Sequence, residues 1–361
     1  MERISDAMGM LDLMVRPGFF VKDHLIIKVN QSAAGHLIHT GTEISQLLVT
    51  GKAEYAAFAG GCLYLTVSVG GQPWGASVTR MGDLDVFILE QESDQAELQA
   101  MALAAQELRE PLANVMTTAD RLFPMVALQD DPATRDQVAR LNRGLFQMLR
   151  VISNMSDANR YSTSHASNQE ILDVERLLQE VFSKAQPLVA HAGIRLTYSG
   201  LRETIFCLAD SEKLERAVLN IISNSIKFTP KGGTIAASLT RRGTMLYLTV
   251  QDNGSGIPER IKGTIHSRYL REPMLDDGRF GIGLGMVLIR SAATQHGGTV
   301  LIDQPGETGT RITMTLAIRQ NQGGTLRSIV HRTDYAGERD HGLLELSGDL
   351  PHTLYDFKEI N

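Results

Sequence analysis

The pattern of apolar and polar residues changes character along the chain. In residues 1–92 short runs alternate with period two, which is typical of half-buried strands. These runs are Cys62–Val69, Ala76–Arg80 and Val86–Glu90. Upstream, Phe19–Val21 and Leu25–Val29 flank a polar turn and predict a hairpin, and Asn30 is a suitable N-cap for a short helix after it. Residues 1–92 therefore predict a mixed α/β domain.

From Ser93 apolar residues recur every three and four positions, which is the spacing of a helical seam. The first seam holds Leu98, Met101, Ala105, Leu108, Leu112, Val115, Ala119 and Leu122, and the second holds Val138, Leu141, Leu145, Met148, Ile152 and Met155. We expect the first helix to be kinked at Pro111, because proline removes a backbone donor, and the run to end over Phe123-Pro124 and Asp130-Asp131-Pro132.

These two seams predict an antiparallel helical hairpin over residues 93–162. A two-helix hairpin has little core of its own, so pairing with a second copy into a dimeric four-helix bundle is the favoured interpretation. The alternative is a hairpin packed only on its neighbouring domains.

Helical and strand patterns alternate over residues 168–320 and predict an α/β sandwich. The predicted helices are Ile171–Ala190, Ser211–Phe228 with Ser211 as N-cap, and Gly285–His296. The predicted strands are Arg195–Tyr198, Ile205–Ala209, Thr234–Thr240, Met245–Asp252, Thr299–Asp303 and Arg311–Ile318. With a C-terminal tail over residues 321–361, the chain is expected to be a multidomain α+β protein.

The composition of the chain argues against several classes of protein. The 361 residues carry a net charge of −6, without the basic excess of a nucleic-acid-binding domain. Two cysteines, Cys62 and Cys207, are too few for a disulfide framework or a cysteine zinc site. The uncharged stretch Tyr55–Thr79 is broken by paired glycines, so it predicts strands and no membrane span. The start lacks a signal-peptide pattern, and we expect a cytoplasmic location.

Polar residues on the second predicted helix of the sandwich offer a site for a metal and a phosphate. Asn220, Asn224 and Lys227 are spaced by four and three residues and so share one face of the helix. Amide oxygens can hold Mg²⁺, and a lysine beside them can meet phosphate.

Four glycine-containing segments follow. Asp252-Asn253-Gly254-Ser255-Gly256 comes directly after a strand, where a carboxylate can accept from an adenine amino group and glycines allow close approach. Gly281-Ile282-Gly283-Leu284-Gly285 precedes a helix, where backbone N–H groups can face phosphate. His296-Gly297-Gly298 and Gly309-Thr310 predict tight turns around the last strands.

In this order the segments resemble the ATP-binding domain of histidine kinases. The resemblance implies ATP and Mg²⁺ as ligands, with Asn224 on the metal, Asn220 and Lys227 toward the phosphates, and Asp252 on adenine. It extends the ATP site to Gly254, Gly256, Arg271, Gly281, Gly283, Gly285 and Thr310, with the three glycines from Gly281 to Gly285 flanking a lid and Arg271 reaching a γ-phosphate. Two residues depart from the family pattern: His266 replaces a phenylalanine and Ile282 replaces a threonine.

The first hairpin helix carries the main departure. Ala104–Leu112 resembles the dimerisation and phosphoacceptor motif of histidine kinases, but Gln106 occupies the acceptor position. Phosphoryl transfer needs an imidazole nitrogen, and a glutamine amide has no comparable basic lone pair. Glu107 remains at the position of the family's base, and Glu110 replaces the residue that orients a hydrolytic water. Upstream, the order of elements in residues 1–92 resembles a PAS sensor domain.

Three functions fit these residues. The favoured one is a pseudokinase that binds ATP and regulates a partner without autophosphorylation at the usual position. An active kinase with another acceptor is the second, and His165 is the nearby candidate. A binding module with a vestigial ATP site is the third. The expected partners are a second copy of the chain and a separate response regulator or another histidine kinase.

Overall fold

The computed structural model describes residues 11–12, 14–90, 93–127, 131–163, 169–257, 284–319 and 339–356. Its strands are β1 Gly18–Lys22, β2 Leu25–Val29, β3 Cys62–Val69, β4 Gln72–Met81, β5 Leu84–Leu89, β6 Glu170–Asp173, β7 Arg195–Ser199, β8 Phe206–Ala209, β9 Thr234–Arg242, β10 Met245–Asp252, β11 Val300–Asp303 and β12 Arg311–Ala317. Its helices are α1 Gln31–Gly35, α2 Ile44–Leu47, α3 Lys52–Ala56, α4 Ser93–Ala127, α5 Pro132–Thr163, α6 Val174–His191, α7 Ser211–Phe228, α8 Leu284–Gln295 and α9 His341–Glu345, followed by a 3₁₀ turn at His352–Tyr355.

The strands of the described ranges form one ten-stranded sheet, ordered β2-β1-β5-β4-β3-β11-β12-β10-β9-β7, and a separate pair, β6-β8. The N-terminal five strands make one half of the large sheet and later strands make the other. The halves join where β3 pairs antiparallel with β11, with Tyr64 opposite Val300 and Cys62 opposite Ile302. Each half thereby covers an edge strand of the other, so neither edge is left unpaired at the junction. The mixed α/β class predicted from the sequence is confirmed.

The N-terminal half follows the predicted pattern closely. β1 and β2 form the expected hairpin, and the side chain of Asn30 caps α1 by accepting from the N–H of Ala33 at 2.9 Å. The same amide oxygen accepts from the N–H of Gly18, tying the cap to β1. Phe19 stacks on Phe87 in the core at 4.9 Å between ring centroids.

The first hairpin helix ends between the two predicted end signals. α4 continues through both Pro111 and Pro124 and ends at Ala127, so Phe123-Pro124 does not end it and the helix stops before Asp130-Asp131-Pro132. A proline in a helix loses one backbone hydrogen bond, but Phe123 is buried among the side chains between α4 and α5. That burial holds the last turn in place beyond the proline.

The predicted seam of α4 divides into two faces. Ala105, Leu112 and Ala119 are buried against Leu145 and Ile152 of α5. In contrast, Leu108, Val115 and Leu122 are about half exposed, at 50%, 52% and 51%. An outward apolar stripe therefore runs along the hairpin; its further members are Leu103, Met125, Leu141 and Met148.

Two boundaries after the hairpin differ from the predictions. The predicted helix from Ile171 begins only at Val174, capped by Asp173, because residues 170–173 form β6 beside β8. Short apolar runs do not by themselves distinguish a strand from a helix end. The N-cap of α7 is Asp210, whose side chain accepts from the N–H of Lys213, and Ser211 is the first helical residue.

The other predicted strands after the hairpin and the helix α8 form within two residues of their expected bounds, whereas β4 of the N-terminal half begins at Gln72, four residues before the predicted Ala76. None of the helices in the described ranges combines the length and apolarity that crossing a bilayer requires.

Candidate functional site

One face of α7 carries the three predicted polar residues together. Asn220 is 2% exposed, while Asn224 and Lys227 are half-buried on the same side of the helix. The Asn220 amide nitrogen donates to the carbonyl of Arg216 at 2.8 Å and to Glu345 at 3.3 Å.

Gly285, near the start of α8, lies directly against this face of α7. A Cβ at Gly285 would come within 2.7 Å of the Asn220 amide oxygen. Only a glycine allows this approach, so the backbone of α8 reaches the predicted metal and phosphate face.

Lys227 lies in an environment that favours an anionic neighbour. Burial lowers the pKa of Lys227, and the negative charge of Asp349 opposes that shift. A buried ammonium group costs free energy unless a negative charge balances it. A negative charge beside Lys227 therefore stabilises its charged form.

The carboxylate of Asp252 is held at the end of β10. It is 5% exposed, and its Oδ1 accepts from the backbone N–H groups of Gly254 and Thr310, both at 3.0 Å. Burial raises the pKa of Asp252, and the two N–H groups act in the opposite direction. A carboxylate oriented this way can accept from an amino group with its second oxygen.

Close backbone approaches assemble the turns around Asp252. A Cβ at Gly254 would lie 2.3 Å from the carbonyl oxygen of Phe228, and one at Gly309 would lie 2.3 Å from that of Asp252. Gly309 and Gly256 also adopt positive φ angles of 83° and 74°. The glycines therefore bring the Asp252 turn, the Gly309-Thr310 turn and the end of α7 close together.

Gln106, Glu107 and Glu110 are all exposed on α4, beside the buried Ala105. Upstream on the same helix, Leu98 packs against Leu284 and Val287 of α8. The start of α8 thus lies against α4 eight residues before Gln106, or about 12 Å along the helix axis. The remaining predicted residues, His165, His266, Arg271, Gly281, Ile282 and Gly283, lie outside the described residues.

A buried charge cluster next to Asn220 was not anticipated. The guanidinium of Arg216 is fully buried, pairs with Asp157 of α5, and donates to Glu345 at 3.1 Å and Asn154 at 2.6 Å. Arg150 lies 3.4 Å from the other oxygen of Glu345. The cluster joins α5, α7 and the C-terminal segment at the edge of the candidate site.

The sequence contains a signal for this cluster. Polar residues on α5 step by four and three along one face: Arg143, Gln147, Arg150, Asn154 and Asp157. Such a stripe normally indicates a solvated face, and here it is partly buried under other parts of the chain.

His296 connects α8 to the N-cap of α7. Its Nε2 accepts from the N–H of Asp210 at 3.0 Å, so its Nδ1 carries the proton and donates to the carbonyl of Ala292 at 2.7 Å. Burial lowers the pKa of His296 from its ordinary value of 6.5, despite the opposing hydrogen bond to Ala292. Only the neutral ring satisfies both contacts.

We expect the free energy of unfolding to fall as the pH drops below about 6.5. The unfolded chain then takes up a proton on His296 that the folded chain excludes, so stability is complete above the unfolded pKa and decreases below it. Urea unfolding at several pH values between 7.5 and 5.5 should show that the free energy of unfolding falls more steeply for the wild type than for His296→Gln. Equal slopes would contradict a neutral, buried role for this ring.

The sequence of this chain is similar to those of known histidine kinases and of related ATPases. Residues 209–320 match the profile of the histidine kinase-, DNA gyrase B- and HSP90-like ATPase, a range that contains α7, the Asp252 turn and α8. The curated relatives include the hybrid signal transduction histidine kinase D of Dictyostelium discoideum, 26% identical over 69% of this chain. They also include the adaptive-response sensory kinase SasA of Synechocystis, 26% identical over 68% of this chain, and the sensor histidine kinase WalK of Bacillus subtilis, 25% identical over 65%.

The chain is a homologue of sensor histidine kinases and carries the ATPase domain of that class over residues 209–320. It spans 17%, 67% and 39% of the lengths of those three relatives. Among solved structures, full-length ShkA in complex with AMPPNP has a TM-score of 0.51 and 21% identity, and the match covers 62% of this chain and 46% of that one. This similarity concerns the fold.

The family assignment agrees with the resemblance that the sequence motifs indicated. In this histidine kinase relative, the described part of the site brings together Asn220, Gly285 and Lys227 on one side. Asp252 and Thr310 lie at the neighbouring turn.

Proposed function

We propose that the chain binds Mg-ATP and regulates a partner as a pseudokinase, without phosphorylating its own hairpin at the usual position. The observation that carries this proposal is a contrast between two sites. The turns around Asp252 and the polar face of α7 are assembled, while the side chain that the resemblance assigns to the acceptor position is the exposed amide of Gln106.

The chemistry of Gln106 supports the absence of transfer. A phosphoacceptor must attack with a basic lone pair, and the lone pair of an amide nitrogen is delocalised into its carbonyl. Glu107 can still accept a proton, but a base without a nucleophile forms no phosphoryl bond. ATP binding would then act by changing the shape of the protein.

The residues at the site suit the groups of Mg-ATP. Asn224 offers an amide oxygen, a hard ligand of the kind Mg²⁺ accepts alongside phosphate oxygens and water. Lys227 supplies a positive charge for the phosphates, and the second oxygen of Asp252 can accept from the adenine amino group.

We further propose a PAS-like sensor over residues 1–92 and a homodimer formed through residues 93–162. The five N-terminal strands and short helices support the first, and the outward apolar stripe of the hairpin supports the second. A second copy would bury the stripe formed by Leu108, Val115 and Leu122 and complete a four-helix bundle. The ATP-binding region would then extend over residues 168–320.

A separate response regulator or another histidine kinase is the proposed partner. The relatives are named as sensory and sensor kinases, and the resemblance of this chain to histidine kinases implies partners of this kind. An impaired acceptor would leave this chain to bias the partner through binding equilibria.

The Asn224→Ala variant tests the nucleotide site. We expect its affinity for Mg-ATP to fall by about tenfold, since a metal ligand is lost, while affinity for adenosine stays unchanged. Isothermal titration calorimetry measures both. The matched control is Asn114→Ala, an exposed asparagine of α4, which should bind both ligands as the wild type does. Absence of Mg-ATP binding by the wild type would favour a vestigial site and overturn the proposal.

A further inference from the structure

The C-terminal segment, residues 339–356, folds back along α5. Arg143 donates from Nε to the carbonyl of Ser347 and from Nη2 to the carbonyl of Gly348, each at 2.9 Å. Gln147 donates to the same Ser347 carbonyl at 3.1 Å. These bonds fix the backbone of the C-terminal segment at the middle of the hairpin helix.

Apolar contacts bury the same segment. Tyr355 is fully buried, lies edge-on to Phe146 of α5 at 5.2 Å, and donates its hydroxyl to the Leu343 carbonyl at 2.7 Å. Leu344, Leu346 and Leu350 are also buried. Burial of four such side chains makes this a packed element of the protein.

The acidic residues of the segment meet the polar face of α7. Glu345 contacts Arg216 and Asn220, and Asp349 accepts from the hydroxyl of Ser223 at 2.5 Å. Arg216, Asn220, Ser223 and Lys227 are spaced by four, three and four residues, so the segment follows one stripe of the helix. That stripe includes two of the residues assigned to the nucleotide phosphates.

We propose that residues 339–356 form an autoinhibitory latch whose carboxylates occupy the phosphate side of the nucleotide site while its backbone is held by α5. This inference rests on the proposed nucleotide function. Glu345 holds the Asn220 amide nitrogen and Asp349 lies along the stripe toward Lys227. A bound triphosphate would add negative charge beside these carboxylates, so the phosphates and the latch compete for the same face.

The position of the latch also explains why nucleotide could act on the whole molecule. The latch contacts both α5 and α7, so its release would free the ATPase domain from the second hairpin helix at this contact. In its closed state the charge of Asp349 partly offsets the effect of burial on the pKa of Lys227.

Two variants of the full chain test the latch by calorimetry with Mg-ATP and with adenosine, which has no phosphate. Asp349→Asn removes a carboxylate from the stripe, and Arg143→Ala loosens the latch from the α5 side without altering α7. We expect each to bind Mg-ATP about fivefold tighter than the wild type and adenosine equally well. The control Glu203→Gln makes the same change of charge at an exposed position that pairs with Arg241.

The outcomes separate the latch from the site. Unchanged Mg-ATP affinity in both variants, with adenosine still bound, would overturn the latch and leave the nucleotide site standing. If neither the wild type nor any variant binds Mg-ATP or adenosine, the proposed nucleotide function is wrong, and the proposal of an autoinhibitory latch fails with it. Thermal unfolding of each variant identifies one that fails to fold, and the other variant then decides.

Discussion

Gln106→His is expected to incorporate phosphate from γ-labelled ATP on α4, where the wild type incorporates none. The substitution supplies the nitrogen nucleophile that the amide lacks. Gln106 is exposed, so an imidazole there would be accessible, and Glu107 follows it at the position of the family's base. The change in labelling is from zero to detectable, which makes this the largest effect on activity that we predict.

The geometry of the hairpin favours this result. Leu98 and Leu284 already hold the start of α8 against α4, about 12 Å along the axis from Gln106. A modest movement of the ATPase domain could therefore bring a γ-phosphate to the new side chain. Because the latch restricts that movement, adding Asp349→Asn to Gln106→His should increase the labelling further.

Controls define what each outcome means. Gln106→Asn retains an amide and should stay unlabelled, and Gln106→His combined with Asn224→Ala should lose its label with the metal ligand. Acid-labile phosphohistidine in the wild type would contradict the pseudokinase proposal and favour another acceptor. Label in neither chain would show that more than one side chain separates this protein from an active kinase.

Arg216→Met is expected to lower the free energy of unfolding by about 3–5 kcal/mol. The guanidinium is fully buried and balances Asp157 and Glu345, so its removal leaves two carboxylates in the interior without their main counter-charge. Methionine occupies similar space, so the loss reports on charge more than on a cavity.

Urea unfolding of Arg216→Met is best compared with Arg241→Met. Arg241 pairs with Glu203 at 3.5 Å, but both side chains are about half exposed, so we expect a loss below about 1 kcal/mol. A similar small loss for Arg216→Met would mean that the cluster relaxes or takes in water when the arginine is removed.

The candidate site was predictable where one helix or one turn carries it. The spacing of Asn220, Asn224 and Lys227 places them on one face of any helix, and the Asp252 turn follows from a strand that runs into glycines. The assignment of Gln106 to the acceptor position comes from the resemblance of the residues on either side of it to the histidine kinase motif.

Contacts between distant segments could not be predicted in this way. Glu345 and Asn220 are 125 residues apart, and nothing local in either segment indicates their pairing. The pairing of β3 with β11 could not be predicted either. Any two exposed strand edges can pair, and only the overall packing selects the partner.

By itself the sequence determined the types and approximate bounds of most elements and the shared polar face of α7, because each depends on residues close together in the chain. Only the tertiary structure decided that the two halves share a sheet, that Arg216 is buried among carboxylates, and that the C-terminal segment packs against α5 and α7. Those features depend on which surfaces of distant segments are buried against each other, and that is decided only when the whole chain packs.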